Sequence, residues 1–333
     1  MARLARPRIG FLGTGWIGRH RMQAMIESHA IEAVAISDPS AEMAREAQKL
    51  APDARVVASL DDILALQPDG VVVATPSALH AAQSIRVLDA GAAVFCQKPL
   101  GRDARETAAV VEAARRADRL LGVDLSYRFT HGMQRIAALL RSGELGRVFA
   151  IDLTFHNAYG PDKPWFYDRA QAGGGCVMDL GIHLADLALW LTGGAAVEHV
   201  DSFLRAAGEP LTDTAVEDFA LATVRLAGGV TVRLACSWRL HAGQDAVIEA
   251  AFYGTQGGAA LRNIDGSFYD FTAEHFRGTS REVLAMPPDD WGGRAAIDWA
   301  ERLHAGVRFD PAAEEYVATA RMLDAIYTAG RSS

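Results

Sequence analysis

The sequence predicts an α/β protein of two domains: a doubly wound parallel sheet, then an α+β domain with a large, mainly antiparallel open sheet. Three observations predict this fold class. Short apolar runs alternate with helix-like stretches over the first third of the chain, a glycine-rich turn follows the first run, and β-rich segments dominate after about residue 125. The 333 residues are long enough for two cores, which we place at residues 1–125 and 126–333.

The first domain is predicted from six short apolar runs, which are typical of strands buried in a parallel sheet. Four Ala-rich, amphipathic stretches separate them, two of which begin at or behind the candidate caps Ser77 and Asp103. Repeated strand–helix–strand units imply right-handed crossovers. The predicted strands are Ile9–Leu12, Ala33–Ser37, Arg55–Val57, Val71–Ala74, Ala93–Cys96 and Leu121–Asp124. The predicted helices are Trp16–Glu27, Ala41–Leu50, Ser77–Ala90 and Ala104–Ala117.

The second domain is predicted from helical segments and from alternating strands separated by turn signals. A loop rich in Pro, Gly and aromatic residues, Asn157–Gly175, precedes the second of its helices. The predicted helices are His131–Ser142, Cys176–Leu191, Arg294–Ala305 and Ala312–Ala329. The predicted strands are Val148–Phe155, Val197–Arg205, Asp218–Leu226, Gly229–Trp238, Gln244–Tyr253 and Gly258–Arg262.

Composition narrows the function classes. The net charge of −8 and the absence of a Lys/Arg run disfavour a nucleic-acid partner. Because the chain has neither a signal-peptide pattern nor roughly 18 uninterrupted apolar residues, we expect no membrane span. Three widely separated cysteines without a CxxC pair are typical of reduced, buried thiols, so we expect a cytoplasmic protein.

A dinucleotide site is predicted at Gly13-Thr14-Gly15-Trp16-Ile17-Gly18. The GxGxxG pattern is weak alone, but here it directly follows a predicted strand and opens a helix. The first glycine permits the tight turn, the second lets backbone approach a pyrophosphate, and the third lets the helix pack on its strand. Phosphate oxygens would then meet the N–H groups at the positive end of the helix dipole.

Asp38 favours NAD as the cofactor. It lies 20 residues after Gly18, at the end of the second predicted strand, where a carboxylate accepts hydrogen bonds from the adenosine ribose. A carboxylate repels the 2′-phosphate of NADP, and Pro39 and Ser40, rather than an arginine, follow it. Asp38 can also serve as a turn residue before Pro39. FAD is disfavoured, because nothing later in the chain resembles the extra segments of flavoproteins.

Two clusters follow predicted strands four and five, at the sheet edge where doubly wound folds carry their chemistry. We predict cofactor contacts for Thr75, Pro76, His80, Gln97 and Lys98. Pro99 restricts Lys98 to an extended conformation at the strand end, which would direct its cationic side chain into the cleft. A solvated surface lysine is the alternative.

A third cluster, Gly173-Gly174-Gly175-x₃-Asp179-x₃-His183, begins a helix of the second domain. Residues four apart on a helix share a face, so Asp179 can orient His183 and prepare it as a proton acceptor. The glycines would let the backbone pass close to cofactor or substrate. The alternatives are an Asp–His pair on a surface helix, or metal ligands with Asp186, for which we find no convincing further ligand; we predict no metal.

In combination these motifs resemble the Gfo/Idh/MocA oxidoreductases, the group of glucose-fructose oxidoreductase and inositol dehydrogenase. One departure is Gln97, where the family commonly has Glu before Lys-Pro. The resemblance implies hydride transfer between a sugar or polyol hydroxyl carbon and the nicotinamide of NAD. By the same resemblance, Lys98 would hold the substrate hydroxyl, His183 would be the general base, and Asp179 would orient His183 and help to bind substrate.

Further substrate contacts are predicted at Tyr127, Arg128, His156 and Trp165, since aromatic, His and Arg side chains suit sugars; each also has a plausible structural role. In the family the open sheet pairs subunits, which implies a homodimer or homotetramer. Two alternatives keep this fold: a non-catalytic sugar-sensing regulator, and an NAD-dependent glycosidase that uses the cofactor transiently. The sequence does not identify the particular sugar or polyol, or the physiological direction of the reaction.

Overall fold

The computed structural model describes residues 6–212 and 215–330, which form two compact units. The first unit runs to Ser126 and includes Gly292–Val317. The second comprises Tyr127–Trp291 and continues from Ala318. The predicted division at residues 125 and 126 lies next to the first junction, but the return of residues 292–317 to the first unit differs from it.

The first unit contains a six-stranded, fully parallel sheet in the order β3-β2-β1-β4-β5-β6, which confirms the predicted doubly wound fold. The strands are β1 (Arg8–Leu12), β2 (Glu32–Ser37), β3 (Arg55–Val56), β4 (Gly70–Val73), β5 (Ala93–Cys96) and β6 (Leu121–Val123). The helices between them are α1 (Trp16–Glu27), α2 (Ala41–Gln48), α3 (Leu60–Ala65), α4 (Ser77–Asp89) and α5 (Ala104–Ala117).

Side-chain caps explain where two of these helices, α3 and α5, begin. Asp103 accepts a hydrogen bond from the Glu106 N–H and caps α5 as predicted. Ser59 caps α3, a short helix that the sequence analysis did not predict. Ser77 was predicted as a cap of α4, but it is the first helical residue and Pro76 occupies the N-cap.

The second unit contains a nine-stranded sheet in the order β15-β14-β13-β12-β7-β11-β10-β8-β9. Its strands are β7 (Val148–Asn157), β8 (Val197–Ala206), β9 (Glu209–Pro210), β10 (Phe219–Leu226), β11 (Val230–Ser237), β12 (Ala246–Gly254), β13 (Gly258–Asn263), β14 (Phe271–Arg277) and β15 (Ser280–Ala285). Its helices are α6 (His131–Ser142), α7 (Arg169–Ala172) and α8 (Ile182–Leu191). All pairs are antiparallel apart from β7 with β11, as predicted for a mainly antiparallel sheet.

Helices cover one face of this sheet. A Cβ on Gly132 of α6 would lie 2.5 Å from the side chain of Leu261, so the helix lies directly on β13. Phe203 and Leu221 pair on neighbouring strands β8 and β10 and point from the opposite face, where each is about two-fifths exposed (41% and 42%). The second unit therefore presents the open sheet face that the sequence analysis predicted.

Two helices close the chain, α9 (Arg294–His304) and α10 (Glu314–Gly330). α9 belongs to the first unit because Trp299 is buried against the parallel sheet, with its ring 5.8 Å from that of Phe95. Gly70 and Gly122 make room for this indole, since a Cβ at either position would lie 2.7 Å from it. A large buried tryptophan thus returns the chain to the first core.

One described helical stretch, Arg169–Leu191, has the length and hydropathy of a membrane span. It comprises α7, a π-helical turn and α8, and 83% of its apolar window is buried inside the protein. The apolar side chains of this stretch therefore serve the core of the second unit.

Candidate active site

The glycine-rich turn of the first unit has the geometry of a dinucleotide site. Gly13 has a φ of +85°, and a Cβ there would lie 2.5 Å from the Ala74 carbonyl oxygen. A Cβ on Gly18 would lie 2.3 Å from the Gly13 carbonyl oxygen, whereas one on Gly15 would meet no described heavy atom within 4 Å. Gly15 is also the N-cap of α1. The turn therefore leaves open backbone at a helix N-terminus, which fits a pyrophosphate.

Asp38 supports this turn from the end of β2. Its Oδ2 accepts hydrogen bonds from the Thr14 N–H (2.6 Å) and the Thr14 hydroxyl (3.3 Å), and its Oδ1 accepts one from the Ser40 N–H (2.8 Å). Asp38 thus stabilises the turn through these hydrogen bonds. Its remaining lone pairs suit the ribose hydroxyls of NAD. Of the other motif residues, Trp16 is exposed, with its ring 5.8 Å from that of His20, and Ile17 is half-buried.

His80, which was predicted as a cofactor contact, is buried between two backbone carbonyl groups. It is 1% exposed; its Nδ1 lies 2.6 Å from the Pro99 carbonyl oxygen and its Nε2 lies 2.6 Å from that of Thr75. Both ring nitrogens therefore contact protein carbonyls. Thr75 and Pro76 remain half-buried at the end of β4, and the Thr75 hydroxyl donates to Gln83.

Gln97 and Lys98, which follow β5, have different surroundings. The Gln97 side chain is buried and donates to Asp124 Oδ2 at 2.7 Å, while Lys98 is half-buried. Asp124 also accepts from Arg21 at 2.6 Å and from the Ser126 hydroxyl at 2.8 Å. The Gln97 side chain thus belongs to a buried hydrogen-bond network, and its predicted cofactor contact stays a prediction.

In the second unit, Asp179 lies in a π-helical turn, Val177–Gly181, and His183 lies in the first turn of α8. Such single π-turns inside helices are frequent at functional sites. Asp179 is half-buried, and its Oδ2 accepts a hydrogen bond from the Trp238 indole N–H at 3.0 Å. Trp238, at the end of β11, is a site residue that the sequence analysis missed.

The predicted glycines before this turn are required by the protein itself. A Cβ on Gly174 would lie 1.9 Å from the Tyr327 hydroxyl, and a Cβ on Gly175 would lie 1.9 Å from the Glu217 carbonyl oxygen. Glu217 Oε1 accepts hydrogen bonds from Gly175 N–H and Val177 N–H (2.9 Å each) and from the Tyr327 hydroxyl (2.8 Å). The close approach at Gly174 and Gly175 is therefore to Tyr327 and Glu217.

Tyr127 lies against His183, with ring centroids 5.0 Å apart, and both side chains are buried at 8% exposure. Phe155, Phe271 and Trp291 surround the Tyr127 ring. Burial raises the pKa of Tyr127, and the nearby Tyr269 and Asp179 raise it further. Its phenol therefore stays protonated and remains a hydrogen-bond donor next to the Asp179 and His183 cluster.

The structure does not bring the other predicted substrate contacts to this cluster. Arg128 forms a buried two-pronged ion pair with Asp186 (2.7 and 2.5 Å), the residue considered as a third metal ligand. His156 alternates with buried Phe155 on β7 and so lies on the opposite sheet face, where its Nδ1 is 2.8 Å from the Ser237 hydroxyl. Burial lowers the pKa of His156.

Trp165 lies in the 3₁₀ turn Pro164–Tyr167 and stacks on Phe166 at 3.8 Å. Phe166 and Tyr167 contact the edge of Trp238, so the aromatic loop reaches Asp179 through that indole. Among the described residues, no group of three or more His, Cys, Asp or Glu side chains is arranged to hold a metal ion.

Comparison with known proteins gives a consistent family. Residues 7–125 match an oxidoreductase family with an NAD-binding Rossmann fold, and residues 133–260 match the GFO/IDH/MocA C-terminal domain. A D-glucoside 3-dehydrogenase from Escherichia coli (strain K12) is 27% identical over 272 residues, 76% of each chain. An inositol 2-dehydrogenase from Rhodococcus erythropolis is 33% identical over 187 residues, 55% of this chain and 52% of that one. The structure of levoglucosan dehydrogenase with NADH and levoglucosan matches with a TM-score of 0.83 at 20% identity, covering 98% of both chains.

Proposed function

The chain belongs to the Gfo/Idh/MocA family of oxidoreductases, and we propose that it is an NAD-dependent dehydrogenase of a sugar or polyol, with Lys98, Asp179 and His183 as its catalytic residues. The observation that carries the proposal is the arrangement around Asp179 and His183. Trp238 donates to Asp179, and Tyr127 packs against His183 and is held protonated by burial. This arrangement supplies a carboxylate, an imidazole and a neutral donor together.

NAD fits the first unit, where Gly13, Gly15 and Gly18 would hold the pyrophosphate at the start of α1 and Asp38 would meet the adenosine ribose. When bound, the nicotinamide accepts a hydride from a carbon that carries a hydroxyl group. The carboxylate of Asp38 disfavours the 2′-phosphate of NADP. We therefore expect activity with NAD to exceed activity with NADP.

Side chains of this protein would bind the substrate hydroxyl group and transfer its proton. Loss of hydride from an alcohol carbon requires the hydroxyl proton to leave as well, and an alkoxide is inaccessible at neutral pH without a positioned base. The Lys98 ammonium would bind the hydroxyl oxygen and stabilise developing negative charge. His183 would accept the proton in oxidation and return it in reduction, and Asp179 would orient His183 and bind a substrate hydroxyl.

We also propose that the protein is cytoplasmic and forms a homodimer or homotetramer through the open face of the nine-stranded sheet. Phe203 and Leu221 on that face support the assembly. The three cysteines are buried and form no disulfide, which supports a reducing compartment.

A spectrophotometric screen of inositols, aldoses and related polyols with NAD and NADP in parallel tests the activity. Accumulation of NADH supports a dehydrogenase. Cleavage of glycosides without net NADH would instead support the transient use of the cofactor, and ligand binding without turnover would support a sensor.

The substitution Lys98→Met tests the catalytic assignment. We expect it to abolish turnover and to leave NADH binding, measured by fluorescence, within about twofold of wild type, because the glycine-rich turn and Asp38, which would hold the pyrophosphate and the ribose, are unchanged. Lys49→Met is the matched control, since Lys49 is an exposed lysine of the same unit. A Lys98→Met variant with wild-type turnover would overturn the assignment.

A further inference from the structure

His80 is a buried, titratable group that the proposed reaction does not use. It lies in α4, four residues after the N-cap, and both of its ring nitrogens are 2.6 Å from backbone carbonyl oxygens. Those carbonyls belong to Thr75, which follows β4, and to Pro99, which follows β5. The imidazole therefore spans two chain segments at one edge of the parallel sheet.

Hydrogen-bond chemistry limits the protonation states that satisfy both contacts. A carbonyl oxygen only accepts hydrogen bonds, and a neutral imidazole carries a single N–H. In the neutral form one ring nitrogen would point its lone pair at an oxygen 2.6 Å away, which is repulsive. Both contacts become hydrogen bonds when both ring nitrogens carry protons.

The segment held at one end by His80 contains Lys98. On one side of Lys98, Gln97 is fixed by its backbone N–H bond to Val73 (2.9 Å) and by its side-chain bond to Asp124. On the other side, Pro99 is fixed by His80. Because both neighbours are anchored, the Lys98 backbone is restrained in place, and its side chain starts from a defined position.

We propose that His80 is a positioning residue for Lys98, and that it bridges Thr75 and Pro99 completely only when its ring carries both protons. The catalytic consequence rests on the role proposed above for Lys98, whereas the bridge itself does not. Nothing in the bridge requires His80 to touch cofactor or substrate.

The charges around His80 make the bridge sensitive to pH. Burial lowers the pKa of His80 below its usual value, the two carbonyl contacts raise it, and the positive charge of Lys98 lowers it; burial is the largest effect. The ring therefore takes up its second proton as the pH falls below the usual histidine range. Lys98, on the segment after β5, is the charged side chain that acts on this titration.

Nuclear magnetic resonance of the wild-type protein, labelled with ¹⁵N in the histidine rings, tests the bridge without a substrate. His80→Gln identifies the His80 signals by their disappearance. We expect one protonated ring nitrogen at pH 8 and a second one as the pH is lowered, with both protons protected from exchange because the ring is buried. A ring that remains neutral down to the lowest pH at which the protein stays folded, or whose protons exchange freely, would overturn the bridge.

Kinetics of His80→Gln test the positioning role, with Ser84→Ala as the matched control one turn further along α4, where Ser84 is also fully buried. We expect His80→Gln to lower kcat about tenfold, to leave NADH affinity within about twofold, and to remove the pH-dependent step in kcat that matches the His80 titration. Wild-type kcat and pH profile in His80→Gln would overturn the positioning role. If the wild type oxidises none of the alcohols screened, the proposed function fails while the resonance result still decides the bridge.

Discussion

Each unit contains a buried carboxylate that holds a segment carrying candidate catalytic residues. The two carboxylates differ in the hydrogen-bond donors that surround them. Asp124, 2% exposed, is paired with the Arg21 guanidinium and also accepts from Gln97 and Ser126. Glu217, 1% exposed, accepts from two backbone N–H groups and the Tyr327 hydroxyl, all neutral donors. The first is an ion pair, whereas the second is a carboxyl group bound by dipoles.

The difference shows what each carboxylate contributes. A buried cation offsets the desolvation of Asp124, so its network can stabilise the strand ends around Gln97. Burial raises the pKa of Glu217, and its hydrogen bonds offset only part of that rise. We infer that Glu217 positions the backbone rather than adding electrostatic stability. Its Oε1 accepts from the N–H groups of Gly175 and Val177, where the turn with Asp179 begins.

The largest effect on stability is expected from Glu217→Ala, which would remove the acceptor of the hydrogen bonds around Glu217. Three buried donors would lose their acceptor, so we expect a loss of about 4 kcal/mol in the free energy of unfolding. Chemical denaturation at pH 7 measures it. Glu217→Gln is the control, since an amide oxygen can still accept from the same donors. A Glu217→Ala variant as stable as wild type would show that these bonds are not needed.

Comparison of wild type with Glu217→Gln also predicts how the free energy of unfolding changes with pH. Because the pKa of Glu217 is raised in the folded protein, the folded state favours the protonated carboxyl. Its contribution to stability is therefore full below the unfolded pKa of about 4.3 and is lost as the pH rises through the folded value. Glu217→Gln should remove this loss, so the variant should gain stability relative to wild type as the pH rises above about 4.3.

Gln97→Glu tests the hydrogen-bond network around Asp124, and we expect a smaller loss of stability than for Glu217→Ala. It would place a second carboxyl group 2.7 Å from Asp124 Oδ2 in place of a donor. One of the two carboxyls must then stay protonated, so we expect a loss of about 2 kcal/mol in the free energy of unfolding at pH 8 and a smaller loss at pH 5. Gln97→Met, which removes the hydrogen bond without adding charge, should show no such pH dependence.

Much of the fold follows from local patterns. The short apolar runs predicted β1 to β6, and the glycine spacing predicted the turn at Gly13, because buried strands and tight turns leave direct marks on composition. The sequence analysis did not predict β14 and β15, in which charged residues interrupt the apolar alternation. α9 joined the first unit through the packing of Trp299, which no local pattern reveals.

The candidate site was less predictable because side-chain partners come from distant positions in the sequence. His80 and Gln97 follow the expected strands, yet their partners turn them into the protein. Gly174 is close to Tyr327, which is far away along the chain. For His156 a signal was present: the strand continues through Asn157, and alternation with buried Phe155 places its neighbour on the other face.

Trp238→Phe is expected to have the smallest effect on free energy. It tests whether the hydrogen bond from Trp238 orients the Asp179 side chain without being needed for the fold of the turn that carries it. The phenyl ring keeps the packing against Phe166 and Tyr167 but removes the indole N–H that Asp179 Oδ2 accepts at 3.0 Å. If Glu217 fixes the backbone and Trp238 fixes the carboxylate, kcat should fall about tenfold, or about 1.4 kcal/mol, while stability and NADH affinity stay near wild type. Trp190→Phe, on the same helix as His183, is the control and should keep kcat within about twofold. Equal loss of kcat and stability in Trp238→Phe would instead mean that the indole supports the fold, and the division of work between Glu217 and Trp238 would be wrong.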